Sequence, residues 1–234
     1  MRFLPSRSGR ALRGFAFGLL AGYVAACATA REELRPPVEP AATRAPDLVE
    51  VVALDPTIHT DVRYATTNNF ARRAVYPVAR VYLQREAADA VVRAHRTLAA
   101  SGYGLLLFDG YRPWSVTRLF WEITPPAQRA FVADPRKGSR HNRGCAVDLT
   151  LYDRTTGREV EMPSAYDDFS EKASPAWAGG DPAARARRDL LRRTLEAEGF
   201  AVYENEWWHY DFRGWREYPV LDLSFPDLMQ RRPR

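Results

Sequence analysis

Two segments far apart in the chain constrain this sequence more than anything else in it: Ser139-Arg140-His141-Asn142-Arg143-Gly144-Cys145-Ala146-Val147-Asp148 and Glu206-Trp207-Trp208-His209. The first sets a carboxylate seven positions after a histidine, and the second sets a histidine three positions after a glutamate. Two imidazoles and one carboxylate fill three corners of a tetrahedral metal site and leave the fourth for water, the pattern of catalytic rather than structural zinc. Glu206 is then free to take a proton from that water. A fold that uses both segments has to bring them together. Each also has a plainer account. His141 could sit on a surface loop with Asp148 paired to an arginine, and His209 could be buried beside Trp207 and Trp208 in an aromatic core. The chain holds only four histidines, and two of them stand in these segments.

Local geometry sets conditions on the functional reading. His141 and Asp148 can converge on one ion only if the backbone folds tightly between them, which Gly144 permits before a strand over 147–151. On a regular strand Glu206 and His209 would point to opposite faces, because the side-chain period is two. Joint service therefore needs Glu206 in the preceding loop or at a bulge, with Trp207, His209 and Asp211 sharing one face.

The remaining elements follow from periodicity. Residues 47–54 alternate and are rich in Val and Leu, predicting a strand. Arg85 to Ala100 carries Ala87, Ala88, Val91, Val92 and Leu98 on a helical period and stops before Ser101-Gly102. The apolar run 103–108 predicts a buried strand, and Pro113 fits the first position of a following helix. Asp181-Pro182 opens a helix with Leu190, Leu191 and Leu195 inward and Gly199 as its stop. Strands are predicted over 200–203 and 207–212. The long irregular stretches 131–144 and 155–180 are of a kind that usually carries function. The fold class is α+β, a small antiparallel sheet with helices to one side.

The N-terminus reads as a targeting segment. Arg2, Arg7, Arg10 and Arg13 precede an apolar stretch, 15–26, too short and too rich in Gly and Ala for a membrane span. It ends Val24-Ala25-Ala26-Cys27, which resembles a bacterial lipoprotein signal with Cys27 as the lipidated residue. The alternative is an ordinary secretory signal cleaved near Ala28 or Ala30. Residues 1–26 carry four Arg and no acidic residue, so without them the net charge of +5 falls to about +1. The basic pieces that remain, Arg185-Ala186-Arg187-Arg188 and the tail 231–234, predict a solvated helix face and a tail rather than a nucleic-acid surface. Residues 27–46, with Pro36, Pro37, Pro40 and Pro46, predict an extended tether, and 47–234 the folded domain. The chain has two cysteines, so a lipidated Cys27 leaves Cys145 alone and excludes a disulfide.

At this point the motifs resemble a known family. Asp61-Val62-Arg63-Tyr64-Ala65-Thr66-Thr67-Asn68-Asn69-Phe70, Gly102 to Phe108 with Asp109-Gly110-Tyr111-Arg112-Pro113, Ser139 to Tyr152, Tyr166-Asp167-Asp168-Phe169 and Glu206 to Tyr210 occur in this order. Together they resemble the D-alanyl-D-alanine dipeptidases of the vancomycin-resistance type. The wider group includes D-alanyl-D-alanine carboxypeptidases and the Hedgehog signalling domain. The resemblance implies one zinc ion per chain, held by His141, Asp148 and His209. It implies Glu206 as general base and then acid, Arg112 as the partner of the developing oxyanion, and Tyr64, Ser139 and Asp167 as the substrate-holding group. A carboxylate such as Asp167 suits a free ammonium, which a strict dipeptidase must recognise and a carboxypeptidase must leave open. Departures from the family pattern are a shorter loop before Ser139, Cys145 where a small residue is expected, and Ser174-Pro175 where polar pocket residues are expected. Gly144 and Ala146 beside Cys145 suggest close packing there rather than metal ligation.

The chain is therefore expected to be an exported zinc dipeptidase acting on D-alanyl-D-alanine, anchored by lipid to the outer membrane on its periplasmic side. That location favours wall turnover or nutrient use over glycopeptide resistance. Two alternatives remain: a D,D- or L,D-carboxypeptidase trimming peptidoglycan stems, and a non-catalytic envelope lipoprotein that binds peptide. Glu206 and Arg112 argue against the last, since binding alone requires neither a base nor an oxyanion partner.

Overall fold

The computed structural model describes residues 34–230 apart from 39 and 41. The signal segment 1–26, Cys27 and the tail 231–234 lie outside the described residues. Among those described, no helix is long and apolar enough to cross a membrane. The described part of the proline-rich stretch forms no helix or strand, and its end is fastened to the domain. The backbone N–H groups of Thr43 and Arg44 both donate to the Glu217 carbonyl at 2.9 Å, and Arg44 pairs with Glu86.

Two sheets organise the domain. The smaller pairs β1 (Leu48–Glu50) with β3 (Tyr82–Gln84), antiparallel. The predicted strand over 47–54 is thus only half strand. The ladder ends at Glu50↔Tyr82, and Val51–Leu54 winds into a helical turn, α1, closed by Asp55 N–H donating to the Val51 carbonyl. With no partner strand left, the turn satisfies that carbonyl locally.

The main sheet has five strands in the order β2 (His59–Thr60), β4 (Tyr103–Asp109), β5 (Ala146–Asp153), β7 (Glu206–Phe212), β6 (Phe200–Tyr203). All its pairings are antiparallel except β2 with β4, so the expected antiparallel sheet gains one parallel edge. Leu105, Leu107 and Phe108 in β4 are fully buried, as a continuous apolar strand covered on both faces requires. Helix α2 (Arg85–Ala99) packs on β4 and α4 (Pro182–Ala197) on β6, with the two helices in contact. Asp181 caps α4 by accepting from the N–H groups of Ala183 and Ala184, with Pro182 following, and Gly199 at φ +89° ends the run. Helix α3 (Trp114–Ile123) begins one residue later than predicted, with Pro113 as its cap, and α5 (Phe225–Gln230) closes the described chain.

The basic run on α4 departs from expectation. Arg185 donates to the carbonyls of Gly179 and Gly180 at 2.8 and 2.7 Å, Arg187 to that of Glu161 at 2.8 Å, and Arg188 to that of Trp177 at 2.7 Å. These cations hold down the irregular stretch 155–180, which has few backbone partners of its own. The arginines are structural clamps rather than a free solvated face.

A buried histidine ties α2 to the sheet. The Leu105 N–H donates to His95 Nδ1 at 3.0 Å, so Nε2 carries the proton and faces Thr57 Oγ1 at 3.0 Å. Thr57 in turn donates to Asp55 at 2.6 Å. Burial lowers the His95 pKa, with the Asp55 charge opposing the shift. The unfolded chain therefore takes up this proton first, and stability falls as pH drops from about 6.5 toward the folded value. His95→Ala is expected to lower the unfolding free energy by about 2–4 kcal/mol at pH 7, through a cavity and an orphaned N–H. The deficit should shrink by pH 5, as measured by chemical denaturation at both values. A deficit that grows on acidification would remove this account of the histidine.

Candidate active site

Strand register brings three acidic and basic side chains into one row. Asp109 on β4 lies opposite Asp148 on β5, and Asp148 lies opposite His209 on β7. Directly opposed residues stand about 5 Å apart, close enough to share an ion. A register shift between Leu107 and Asp109 sets Asp109 in that row. His141 arrives from a short 3-10 turn (His141–Arg143) just before β5, ended by Gly144 at φ +66°, a left-handed position suited to glycine.

Glu206 begins β7 rather than preceding it. The β6–β7 register shifts between Val202↔Tyr210 and Tyr203↔Glu206, so of the two expected arrangements it is the bulge that occurs. With the strict alternation broken, Glu206, Trp208 and His209 all line one cavity. Trp208 rather than Trp207 therefore joins the site. Trp207 packs elsewhere and donates its indole N–H to Ser164 at 2.9 Å.

The tautomers follow from the hydrogen bonds. His141 Nδ1 faces the Gly110 carbonyl at 2.7 Å, so it holds the proton and leaves Nε2 bare. His209 Nε2 faces Asp211 Oδ1 at 3.0 Å, which leaves Nδ1 bare. The two bare nitrogens face each other at 3.1 Å, and both approach Asp148 Oδ1, at 3.3 and 3.0 Å. That oxygen is buried and has no hydrogen-bond partner, while Oδ2 accepts from the Tyr166 hydroxyl at 3.0 Å. Two lone pairs and an orphaned carboxylate oxygen converging on one point form a donor set that fits a cation. One atom each from His141, Asp148 and His209 lies within 4.8 Å of the others. Burial pushes the Asp148 carboxyl up, but the neighbouring histidines outweigh it and hold the group well below the usual carboxylate range. Burial likewise opposes charge on His209, yet the carboxylates of Asp148 and Asp211 on either side raise its pKa well above the ordinary value, and a cation seated at Nδ1 would take the place of the proton there.

Around this set the cavity, of about 130 Å³, is lined by Tyr64, Arg112, Ser139, Asp167 and Glu206 on its polar side. Phe70, Phe120, Phe131 and Phe169 form an apolar wall. All eight candidate residues within the described chain thus meet in one place. Glu206 Oε2 stands 3.8 Å from His209 Nδ1, and burial pushes its carboxyl up to about 8. Asp167 accepts from the Tyr64 hydroxyl at 3.1 and 3.2 Å, and burial, with the charge of Asp148, pushes it up to about 7. Its φ of +59° is left-handed, a backbone cost borne where a side chain must be aimed. Arg112 donates through Nε and Nη2 to Asp109 Oδ2 at 3.0 and 2.7 Å, and Nη2 lies 3.8 Å from Asp148 Oδ2. Ser139 Oγ accepts from the His141 N–H at 3.2 Å. Cys145 is fully buried, with its thiol pushed up to about 12 by burial, and stands outside the ligand group.

Four residues of the site escaped the sequence reading of roles. Asp109 anchors Arg112 and also accepts from the Tyr76 hydroxyl at 2.9 Å. Asn142 joins the two motif loops: its side chain accepts from Ser139 N–H and donates to the Arg112 carbonyl and to Thr117, each at 2.8 Å. Tyr166 and Asp211 fix Asp148 and His209. Asp109, Asn142 and Tyr166 lie inside the sequence motifs and Asp211 directly follows one, and that proximity is the available signal.

The sequence profile described as D-ala-D-ala dipeptidase matches residues 44–227. A D-alanyl-D-alanine dipeptidase of Escherichia coli (strain K12) is 31% identical over 179 residues, covering 76% of this chain and 91% of the relative. Those of Enterococcus faecium and Enterococcus faecalis are 35% and 34% identical, each match covering 74% of this chain and 96% and 93% of the relative.

Proposed function

From the premise that this chain belongs to the D-ala-D-ala dipeptidase family, we propose that it hydrolyses D-alanyl-D-alanine and closely similar D-dipeptides. The observation that carries the proposal is Asp167, a half-buried carboxylate held by Tyr64 in the same cavity as the His141, Asp148 and His209 set. An isolated carboxyl pushed up by burial gains most from a cationic partner, and a dipeptide's free ammonium is such a partner. A carboxypeptidase has no use for this group, because its substrates continue past that end.

A zinc ion, one per chain, fits the donor set and when bound would supply Lewis acidity toward the peptide carbonyl and toward water. The residues supply the rest. Glu206 takes the proton of the attacking water and passes it to the amine that leaves. Arg112, held rigid by Asp109, offers a fixed positive charge to the oxygen of the peptide carbonyl as charge develops there. Tyr64 and Asp167 fix the ammonium, and Ser139 lines the cavity beside His141.

The test is a peptide panel on the zinc-loaded protein. D-alanyl-D-alanine should be cleaved, with its L,L isomer and an N-acetylated tripeptide resisted by at least about 100-fold in kcat/KM. Asp167→Asn should narrow the gap between free and blocked amino ends. Preferential cleavage of the blocked tripeptide would instead establish the carboxypeptidase reading.

The proposal extends to location. The basic residues before position 14, the apolar stretch 15–26 and Cys27 support export to the periplasm and a lipid anchor in the outer membrane. Expressed with its natural N-terminus, the protein should fractionate with outer membranes, and Cys27→Ser should release it. Unchanged fractionation of the variant would leave the anchor without support.

A further inference from the structure

A dipeptide is a zwitterion, and Asp167 accounts for only one of its charges. Two cations line the cavity, Arg112 and Arg140. Arg112 is committed: it is buried, bonded twice to Asp109, and stacked 5.3 Å from the Tyr64 ring and 5.0 Å from the Phe120 ring. Arg140 is not. Its side chain is 42% exposed, and its one ion pair among the described residues, Nε to Asp211 Oδ2 at 3.4 Å, is not a hydrogen bond, which leaves a buried N–H without an acceptor there. Its terminal nitrogens make no hydrogen bond among the described residues. The guanidinium lies 4.7 Å from the Trp215 ring, which also carries Arg216 at 4.2 Å and Arg143 at 5.2 Å.

The order of groups gives the two cations different ends of the substrate. Asp167 bonds Tyr64, Tyr64 faces Arg112, and Arg112 reaches Asp148. Beyond Asp148 come His141 and His209, then Asp211, then Arg140. In a dipeptide the carbonyl under attack is adjacent to the ammonium-bearing carbon, so it falls on the Arg112 side. The carboxylate follows one residue further on, a step of about 3.5 Å along an extended chain. It thus falls on the side of Arg140.

We propose that Arg140 receives the C-terminal carboxylate of the substrate, with Trp215 and Asp211 fixing its guanidinium. Arginine offers five donors in a planar fork, so a single contact with Asp211 leaves a face for a second carboxylate. This assignment rests on the dipeptidase reading and adds to it a requirement for a free carboxyl end. An amide at that end keeps the shape of the substrate and removes the charge.

The experiment compares D-alanyl-D-alanine with D-alanyl-D-alaninamide, scored by KM or, if the amide is not cleaved, by its Ki against the acid. Arg140→Gln is expected to raise KM for the acid by about 10- to 100-fold with kcat changed less than threefold, and to leave the amide's constant unmoved. Arg140→Lys should recover part of the loss. In Glu206→Gln protein, where turnover is suppressed, calorimetric Kd for the acid should shift by the same factor when Arg140→Gln is added. Equal shifts for acid and amide, or a fall in kcat alone, would overturn the assignment and point to an effect through Asp211 and His209. The unsubstituted protein gives an independent reading that needs no variant to fold. If it handles acid and amide alike while cleaving the acid, the assignment fails and the dipeptidase reading stands. If it cleaves neither, both fall.

Discussion

Replacing Glu206 by glutamine is expected to lower kcat for D-alanyl-D-alanine by about 10²- to 10⁴-fold, the usual range for losing a positioned general base. Glutamine keeps the shape of the side chain and its place at the start of β7, so the cavity wall should persist. Glu206 is not among the three ligand residues, and its carboxylate stands 3.8 Å from one ligand atom, His209 Nδ1. Zinc content should therefore stay at one per chain while turnover collapses. Burial raises this carboxyl, and a cation seated beside it would draw the value back down. The base acts only when ionised, so activity of the unsubstituted protein should rise with pH through that group's pKa, and the residual activity of the variant should lack that limb. Metal analysis alongside pH–rate profiles decides the point. A variant that holds its zinc and keeps more than a tenth of the activity would leave Glu206 without its role.

Why Glu206 could be recognised but not located illustrates what the sequence carries. Residue types spoke plainly: a histidine with a carboxylate at each of two places is uncommon, and metal chemistry needs those atoms. Position depended on pairing. A strand's period of two set Glu206 and His209 on opposite faces, and only the register shift against β6 resolves this, through hydrogen bonds to residues earlier in the chain. The opposition of Asp109, Asp148 and His209 is equally non-local, since three strands must align before it exists. The parallel edge strand His59–Thr60 is too short to show any period. Helix α4, by contrast, was legible at both ends because Asp181, Pro182 and Gly199 act on their own neighbours. Its arginines were not, because what they bind, the carbonyls of Glu161, Trp177, Gly179 and Gly180, belongs to an irregular stretch with no pattern to read.

Substituting Asp148 by asparagine should remove metal and activity together. Asp148 supplies the one anionic ligand, and its Oδ1 is the buried oxygen that has no hydrogen bond. An amide of the same shape offers a neutral oxygen or a donor N–H to the bare nitrogens of His141 and His209, and so satisfies them without an ion. The expected result is protein with well under one zinc per chain and turnover no greater than that of chelator-treated parent. Stability gives a readout independent of turnover. A ligand that binds only the folded state stabilises it by about 4 kcal/mol when present at a thousand times its Kd. Adding zinc should therefore raise the Tm of the metal-free parent and leave that of Asp148→Asn nearly unchanged. The comparison with Asp211→Asn separates holding the ion from orienting a ligand. Asp211 meets the ligand set only through the far nitrogen of His209, and loss of such a support usually weakens metal binding by about 10- to 100-fold. That variant should regain activity with excess zinc, whereas Asp148→Asn should not. If excess zinc restores both alike, Asp148 is a supporting residue and the ion sits elsewhere in the cavity.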